Sequence, residues 1–353
     1  MTLSRRAFLA SVPLAALASR VRAEGEGPGM CLAYTSFAVR MLQGRDILKS
    51  TAAALPASAL LDLCVRFGAH GGQIDWSQIE SHAPEALAAL KARADRDHLR
   101  LELSVPASCL ESPQAYADMV KTATALGVTH VRIALLYGRR YESFKTRDEW
   151  TAWHAKWVAQ LQTMKPVIEA HPIVVGLENH KDHLSTELAA LLRSLNSPKI
   201  GVCFDFGNNI SLLEEPRQTL ETLAPFVVTT HLKDMAVKPT ADGFELSEVP
   251  LGEGILPLAE MIATLRSHRP DVPMCLEMLT RDPLQVPYKT DRYWIALDRP
   301  APKAMAAFEL HVLSKASATP LPHITGLAPA DQVALEDELV GRCMEYGRKV
   351  LKL

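Results

Sequence analysis

Apolar residues recur along this chain in two alternating patterns, and their order predicts an architecture. Runs of strand length occur at residues 30–37 (MCLAYTSF), 71–76, 99–106 (LRLELSVP), 130–138 (HVRIALLYG), 173–180 (IVVGLENH), 200–209 (IGVCFDFGNN), 226–234 (FVVTTHLKD) and 273–279 (PMCLEML). Between them, apolar residues fall at helical spacing over 56–67, 84–96, 113–127, 147–170, 186–195, 216–223 and 257–267. Strands alternating with helices predict a parallel sheet with right-handed crossovers, and eight such units over about 250 residues predict a closed (β/α)8 TIM barrel, an α/β fold. A doubly wound sheet would place a glycine-rich phosphate loop after its first strand, and Ser36-Phe37-Ala38-Val39 supplies none.

The one long interval, before the last strand, carries an Ala-Asp-Gly turn at 241–243 flanked by Val237 and Phe244, which predicts a hairpin. Residues 281–299 read as irregular, and extra C-terminal helices are expected over 301–315 and 329–351. The barrel is thus placed over about 30–299, within one domain spanning 24–353. Trp150, Trp153 and Trp157 share a helix face and are expected to pack against the barrel wall.

Residues 1–23 are a separate object. Ser4-Arg5-Arg6-Ala7-Phe8-Leu9-Ala10 precedes an apolar run at 11–19 and small or apolar residues at Val21 and Ala23, a pattern that resembles a twin-arginine signal peptide. It implies export through the twin-arginine machinery to the periplasm or beyond. Cleavage after Ala23 would remove four arginines and no acidic residue, taking the net charge from -2 to -6. No other apolar run reaches spanning length, so no membrane span is expected in the mature chain. The acidic balance and the absence of a basic block argue against a nucleic-acid partner and for a small-molecule substrate. The six cysteines, without Cys-x-x-Cys spacing in a chain long enough for a large core, are expected to be buried thiols. Nothing in the residues speaks to oligomeric state.

Polar chemistry gathers where four successive strands stop. Glu178, Asp205, His231 and Glu277 each end an apolar run, and in a closed parallel barrel neighbouring strand ends lie side by side. Three carboxylates that close repel one another unless a cation sits among them, and an O3N donor set suits one divalent cation: Mn, Mg, Co or Zn.

The motifs around those residues carry a family resemblance. Leu-Glu-Asn-His at 177–180, Phe-Asp-Phe-Gly-Asn at 204–208, His-Leu-Lys-Asp at 231–234, Leu-Gly-Glu-Gly at 251–254 and Leu-Glu-Met at 276–278 are similar to the xylose-isomerase-like TIM barrels of the sugar phosphate isomerase/epimerase family. The resemblance implies that Glu178, Asp205, His231 and Glu277 bind a catalytic divalent ion. It further implies that Glu178 and Glu277 act as an acid/base pair on opposite faces of a substrate carbon, passing through an enediolate. The expected activity is therefore isomerisation or epimerisation of a sugar or sugar-derived ketone, in carbohydrate metabolism. A metal-dependent dehydratase or lyase on a keto-sugar, inosose or related cyclic substrate is the alternative, since it shares the enediolate. A non-catalytic sugar-binding barrel is a third reading.

Two departures from the family pattern bear on substrate contacts. Asn208 stands where sugar epimerases usually have a histidine, and Lys233 and Lys238 stand where they tend to carry an arginine. The first change also removes a histidine that the three-zinc endonuclease IV branch needs, against a DNA-repair role. Asn208 and Lys233 are accordingly candidate substrate contacts. His180 either touches substrate or orients Glu178. Arg281 either meets an anionic group or pairs with Asp282. Trp76 and Tyr137 either stack on a sugar ring or pack the rim. Asp234 and Glu253 are expected to stabilise loop and helix ends, and His183 to be a loop residue.

Overall fold

The computed structural model describes residues 29–42 and 55–353, so the expected twin-arginine signal at 1–23 lies outside the described residues. Eight parallel strands form the wall: β1 (Met30–Ala33), β2 (Gly71–Asp75), β3 (Arg100–Ser104), β4 (His130–Ile133), β5 (Val174–Glu178), β6 (Ile200–Asp205), β7 (Val227–Leu232) and β10 (Met274–Leu276). They close in chain order, with β10 pairing β7 on one side and β1 on the other. This is the predicted (β/α)8 barrel. The strands from β5 onward end within a residue of the positions expected from sequence, whereas β1 gives way after Ala33 to a 3-10 turn over Tyr34–Phe37.

The outer layer comprises α1 (Ala38–Leu42), α2 (Ala57–Phe67), α3 (Pro84–Arg96), α4 (Pro113–Ala125), α5 (Arg140–Ser143), α6 (Arg147–Glu169), α7 (Ser185–Leu195), α8 (Pro216–Leu223) and α9 (Leu258–His268). The extra helices α10 (Pro302–His311) and α11 (Pro329–Tyr346) follow, and Glu336 of α11 accepts a hydrogen bond from the Val39 amide at 2.7 Å, tying the end of the chain to its start. Leu101 and Leu103 of β3 are buried, while the alternate residues Arg100, Glu102 and Ser104 meet polar partners. Glu102 accepts a hydrogen bond from Thr229 of β7 at 2.8 Å, so the barrel interior is polar through its middle as well as at its rim. All six cysteines are free and buried, as expected. Trp157 joins the main core, but Trp150 packs with Phe144 and Ala296 in a separate cluster beside the rim. Among the described residues no helix is long and apolar enough to cross a membrane.

The expected hairpin is present and larger than foreseen. Strands β8 (Asp234–Pro239) and β9 (Phe244–Val249) pair antiparallel, and β11 (Leu284–Val286), from the segment expected to be irregular, adds a third strand against β9. Asp234 secures the chain where the hairpin returns, accepting from the amides of Met235, Gly252, Gly254 and Leu256 at 2.8–3.1 Å. Glycine is required at 254, because a Cβ there would lie 2.1 Å from Asp234 Oδ1. Glu253 pairs with Arg342 on an exposed face.

Arg140 clamps the loop that follows β5. It is 2% exposed, donates to the carbonyls of Ala296 at 2.8 Å and Asp182 at 3.2 Å, bonds Glu187 at 2.6 Å, and lies 3.5 Å from the Trp150 ring centre. Replacing it strands those acceptors in a buried site. Arg140→Met is expected to cost about 3 kcal/mol of stability, read as a lower melting temperature with a cooperative transition.

Candidate metal centre

Strand register brings the four proposed ligands together. Asp205 of β6 is the register partner of His231 of β7, and in a parallel pair register partners point to the same side. That alignment depends on an irregularity lower down. Val202 pairs with Val227 but Cys203 pairs with Thr229, so one extra residue of β7 is accommodated between them. Without it Asp205 would face Thr230, and His231 would point to the other side of the sheet. Glu178 ends β5, and Glu277 follows β10, with its amide donating to the Leu232 carbonyl at 2.8 Å.

All four residues are buried, and one ligand atom from each lies within 4.8 Å of the others. His231 Nδ1 is 3.4 Å from Glu178 Oε1, 3.4 Å from Glu277 Oε1 and 3.9 Å from Asp205 Oδ2. On the far side of the ring, Nε2 lies 2.8 Å from Gln73 Oε1. A proton on Nε2 donated to Gln73 leaves the Nδ1 lone pair facing the three carboxylates, the usual arrangement of a metal-binding histidine. Nδ1 of His231 is buried without a hydrogen bond, and Oδ2 of Asp205 has only the Lys233 ammonium beside it, at 2.8 Å. An unbonded imidazole nitrogen and a carboxylate oxygen aimed at a shared centre, with two further carboxylate oxygens beside them, fit a divalent cation.

The carboxylates are held in place from behind. Asp205 Oδ1 accepts from the amides of Gly207 at 2.9 Å and Asn208 at 2.7 Å. Glu178 Oε2 is gripped by Arg132, while its Oε1 accepts from Asn208 Nδ2 at 3.0 Å. Glu277 Oε2 is bonded by Lys233, whose ammonium also faces Asp205. Asn179 locks the backbone beneath, accepting from the Asp205 amide at 2.7 Å and donating to its carbonyl at 2.9 Å.

This arrangement divides the titration behaviour of the acids. Burial alone would raise the pKa of Glu178, but Arg132, with His180 and His231, outweighs it and holds the group below the ordinary carboxylate range. Glu277 is likewise depressed, by Lys233 and His231 against burial. Asp205 is pushed up to about 6, because burial and its two acidic neighbours exceed the pull of Lys233. Burial disfavours protonated His231, yet Glu277 and Glu178 raise it to about 9: without a metal, a proton takes the cation's place on Nδ1.

The other residues singled out from sequence are placed differently. Asn208 and Lys233 reach the centre but bond the ligand carboxylates, so they support Glu178, Asp205 and Glu277 directly. His180 Nδ1 donates to the Leu136 carbonyl at 2.7 Å, and burial with the Lys181 charge lowers its pKa to about 4, leaving a neutral ring beside the site. Arg281 does not pair with Asp282. It bonds Glu248 of β9 at 2.6 and 3.2 Å, while Asp282 receives the amides of Ile324 and Thr325. Tyr137 is 56% exposed at the rim, its ring 5.6 Å from the Arg132 guanidinium carbon, and Trp76 packs on His82 with ring centres 4.4 Å apart. His183 lies in the loop between β5 and α7, as expected, and is buried there in a cluster with Asp182, His154 and Trp150.

Sequence reasoning passed over Gln73, Arg132, Lys181 and Glu248. A visible signal existed for two of them: Gln73 interrupts a short buried strand and Arg132 stands inside the apolar run HVRIALL, where an unpaired charge is not tolerated.

With this geometry established, the comparisons with known proteins can be set beside it. A family model described as xylose isomerase-like TIM barrel matches residues 61–298. The 3-oxo-isoapionate decarboxylase of Pectobacterium atrosepticum is 28% identical over 226 residues, covering 63% of this chain and 78% of that protein. A xylose isomerase-like TIM barrel protein from Mycobacterium smegmatis, solved in complex with magnesium, matches with a TM-score of 0.56 at 15% identity, over 79% of this chain and 97% of its own. A D-psicose 3-epimerase solved in the presence of D-fructose gives 0.58 at 12% identity, over 92% and 100%. Those two structural likenesses are likenesses of fold.

Two measurements test the centre. Titration with Mn2+ or Zn2+ is expected to show one tight site, with affinity rising with pH up to about 9, because binding displaces the His231 proton; pH-independent binding would contradict this. Gln73→Leu, which removes the acceptor fixing the His231 tautomer, is expected to weaken that site roughly 10–100-fold by the same titration while leaving the fold intact.

Proposed function

Because the chain belongs to the xylose isomerase-like TIM barrel family, we propose that it is a divalent-metal-dependent lyase that takes carbon dioxide from a sugar-derived 3-keto acid, leaving the electron pair of the broken bond in an enediolate that gains a proton from water at that carbon to give the ketose. A divalent ion held by Glu178, Asp205, His231 and Glu277 would supply Lewis-acid polarisation of the ketone oxygen. The remaining chemistry belongs to the protein. Arg132 and Lys233 hold Glu178 and Glu277 in their ionised, ligating orientation, and Gln73 holds the His231 ring.

One observation favours bond loss over epimerisation. In a two-base epimerisation, each glutamate takes or returns a carbon-bound proton through the oxygen not directed at the ion, and a good base has a pKa near the working pH. Here those oxygens are Glu178 Oε2 and Glu277 Oε2, and both are occupied by buried cations that depress their basicity. Decarboxylation reaches the same enediolate without removing a proton from carbon. The 28% identity with a decarboxylase supports this order of the two readings. The epimerase reading keeps its support in the shared ligand set and fold, and predicts instead that one of the two ion pairs opens when substrate binds. A catalytically idle barrel would be expected to lack one of the ligands or glutamates, and none is missing.

The deciding experiment offers the metal-loaded protein 3-oxo-isoapionate in one series and D-fructose or D-psicose in another. Carbon dioxide release from the keto acid without interconversion of the ketoses is expected, and ketose epimerisation without carbon dioxide release would reverse the assignment. Asp205→Asn, which weakens the donor set without changing its volume, is expected to lower kcat/KM at least a hundredfold, an effect of about 3 kcal/mol on the barrier.

A further inference from the structure

Lys181 is three residues beyond Glu178, in the loop leading to α7, and its backbone adopts φ of 79°, a left-handed conformation that side-chain-bearing residues seldom take. The strain is held on both sides. The Lys181 carbonyl accepts from the Arg140 amide at 3.0 Å, and the Arg140 guanidinium holds the next carbonyl, that of Asp182, at 3.2 Å. The effect is to turn the lysine inward, where only 6% of it is exposed.

The ammonium enters a site whose other cations are all engaged. Arg132 is taken by Glu178, Lys233 by Asp205 and Glu277, and Arg281 by Glu248. The Lys181 ammonium has no hydrogen-bond or ion-pair partner among the described residues. It is attracted by Asp205 and Glu248, outside bonding distance of either, and repelled by Lys233 and Arg281, while neutral His180 and Asp182 flank it in the chain. Burial and those two cations lower its pKa to about 8, so it remains mostly charged at neutral pH. A buried ammonium without a counterion is costly unless a ligand provides one. Arg132, Lys181, Lys233 and Arg281 match Glu178, Asp205, Glu277 and Glu248 one for one, so a divalent ion would leave the site cationic even with the neighbouring Asp182 carboxylate counted.

We propose that Lys181 receives a carboxylate of the substrate and so selects keto acids over neutral ketoses, the ketone end lying at the four-ligand centre and the carboxylate at the lysine. This rests on the reading of that centre as the place where the ketone is held. A carboxylate fits better than a phosphate, because phosphate sites gather several donors, commonly backbone amides at a helix start. Here those amides are already spent: His183 N on Asp182, Leu184 N on Glu187 and Ser185 N on Glu214. One ammonium remains.

The test uses the full chain saturated with Mn2+ and two probes, tartronate and glycolate, which share a hydroxy-acid end and differ by one carboxylate. Isothermal titration is expected to show tartronate binding at least tenfold weaker in Lys181→Met than in the wild type, with glycolate and metal affinity changed by less than twofold. Lys181→Asn, whose residue type tolerates the left-handed conformation, should repeat the result, and Lys181→Arg should restore tartronate binding to within about threefold. Wild-type affinity for tartronate should weaken as pH rises through about 8, where the free amine loses its proton, and that limb should vanish in Lys181→Arg. Unchanged tartronate affinity in both neutral variants would overturn the proposal, as would orthophosphate competing through Lys181 more strongly than tartronate. If the wild type binds metal but neither probe, or no metal at all, the reading of the centre itself fails and the proposal falls with it.

Discussion

Three carboxylates and an imidazole share one buried point in this protein, and that arrangement is stable only because every acid is restrained from behind. Arg132 and Lys233 take the outer oxygens of Glu178 and Glu277, and two backbone amides take Oδ1 of Asp205. On the inner side Nδ1 of His231 has no hydrogen bond, Oε1 of Glu178 has only Asn208 and Oδ2 of Asp205 only the Lys233 ammonium, and these atoms converge. Mutual repulsion among the acids, which would otherwise push the strands' ends apart, becomes a demand for a cation at the centre.

Much of the surrounding structure makes sense as support for that demand. The extra residue in β7 brings His231 into line with Asp205, Asn179 fixes the backbone on which Asp205 sits, and Gln73, from the opposite side of the barrel, sets the histidine tautomer. The polar interior has the same logic. Glu102 and Thr229 bond across the barrel, and Ser104 and Arg132 between adjacent strands, where a purely structural barrel would pack branched aliphatic side chains. Arg132 in particular is tolerable in a buried strand because Glu178 and Ser104 both receive it.

The same restraints shape the chemistry. A glutamate whose outer oxygen already holds a guanidinium or ammonium is a good ligand and a poor proton acceptor, and the proposed bond-breaking reaction rests on that contrast. The three-stranded β8–β9–β11 sheet adds Glu248, and through it Arg281, to the charges around the centre.

The alternation of apolar runs and helical spacings was enough to specify the barrel, its strand order and the four residues that meet at its rim, because in a closed parallel sheet sequence order dictates spatial order and each strand end reaches one rim. The Ala-Asp-Gly turn between Val237 and Phe244 was similarly legible, being a local matter of turn chemistry. What no local pattern carries is pairing across the barrel. Gln73 meets His231 at a separation of 158 residues, and β11 joins a hairpin formed some forty residues earlier. Whether Asn208 and Lys233 would face substrate or brace the ligands, and whether Arg281 would choose Asp282 or Glu248, depended on distances of a few ångströms between separate loops. Residue type and order therefore determined which groups are available at the rim; only tertiary packing decided which of them neutralise one another, and hence that Lys181 is left over.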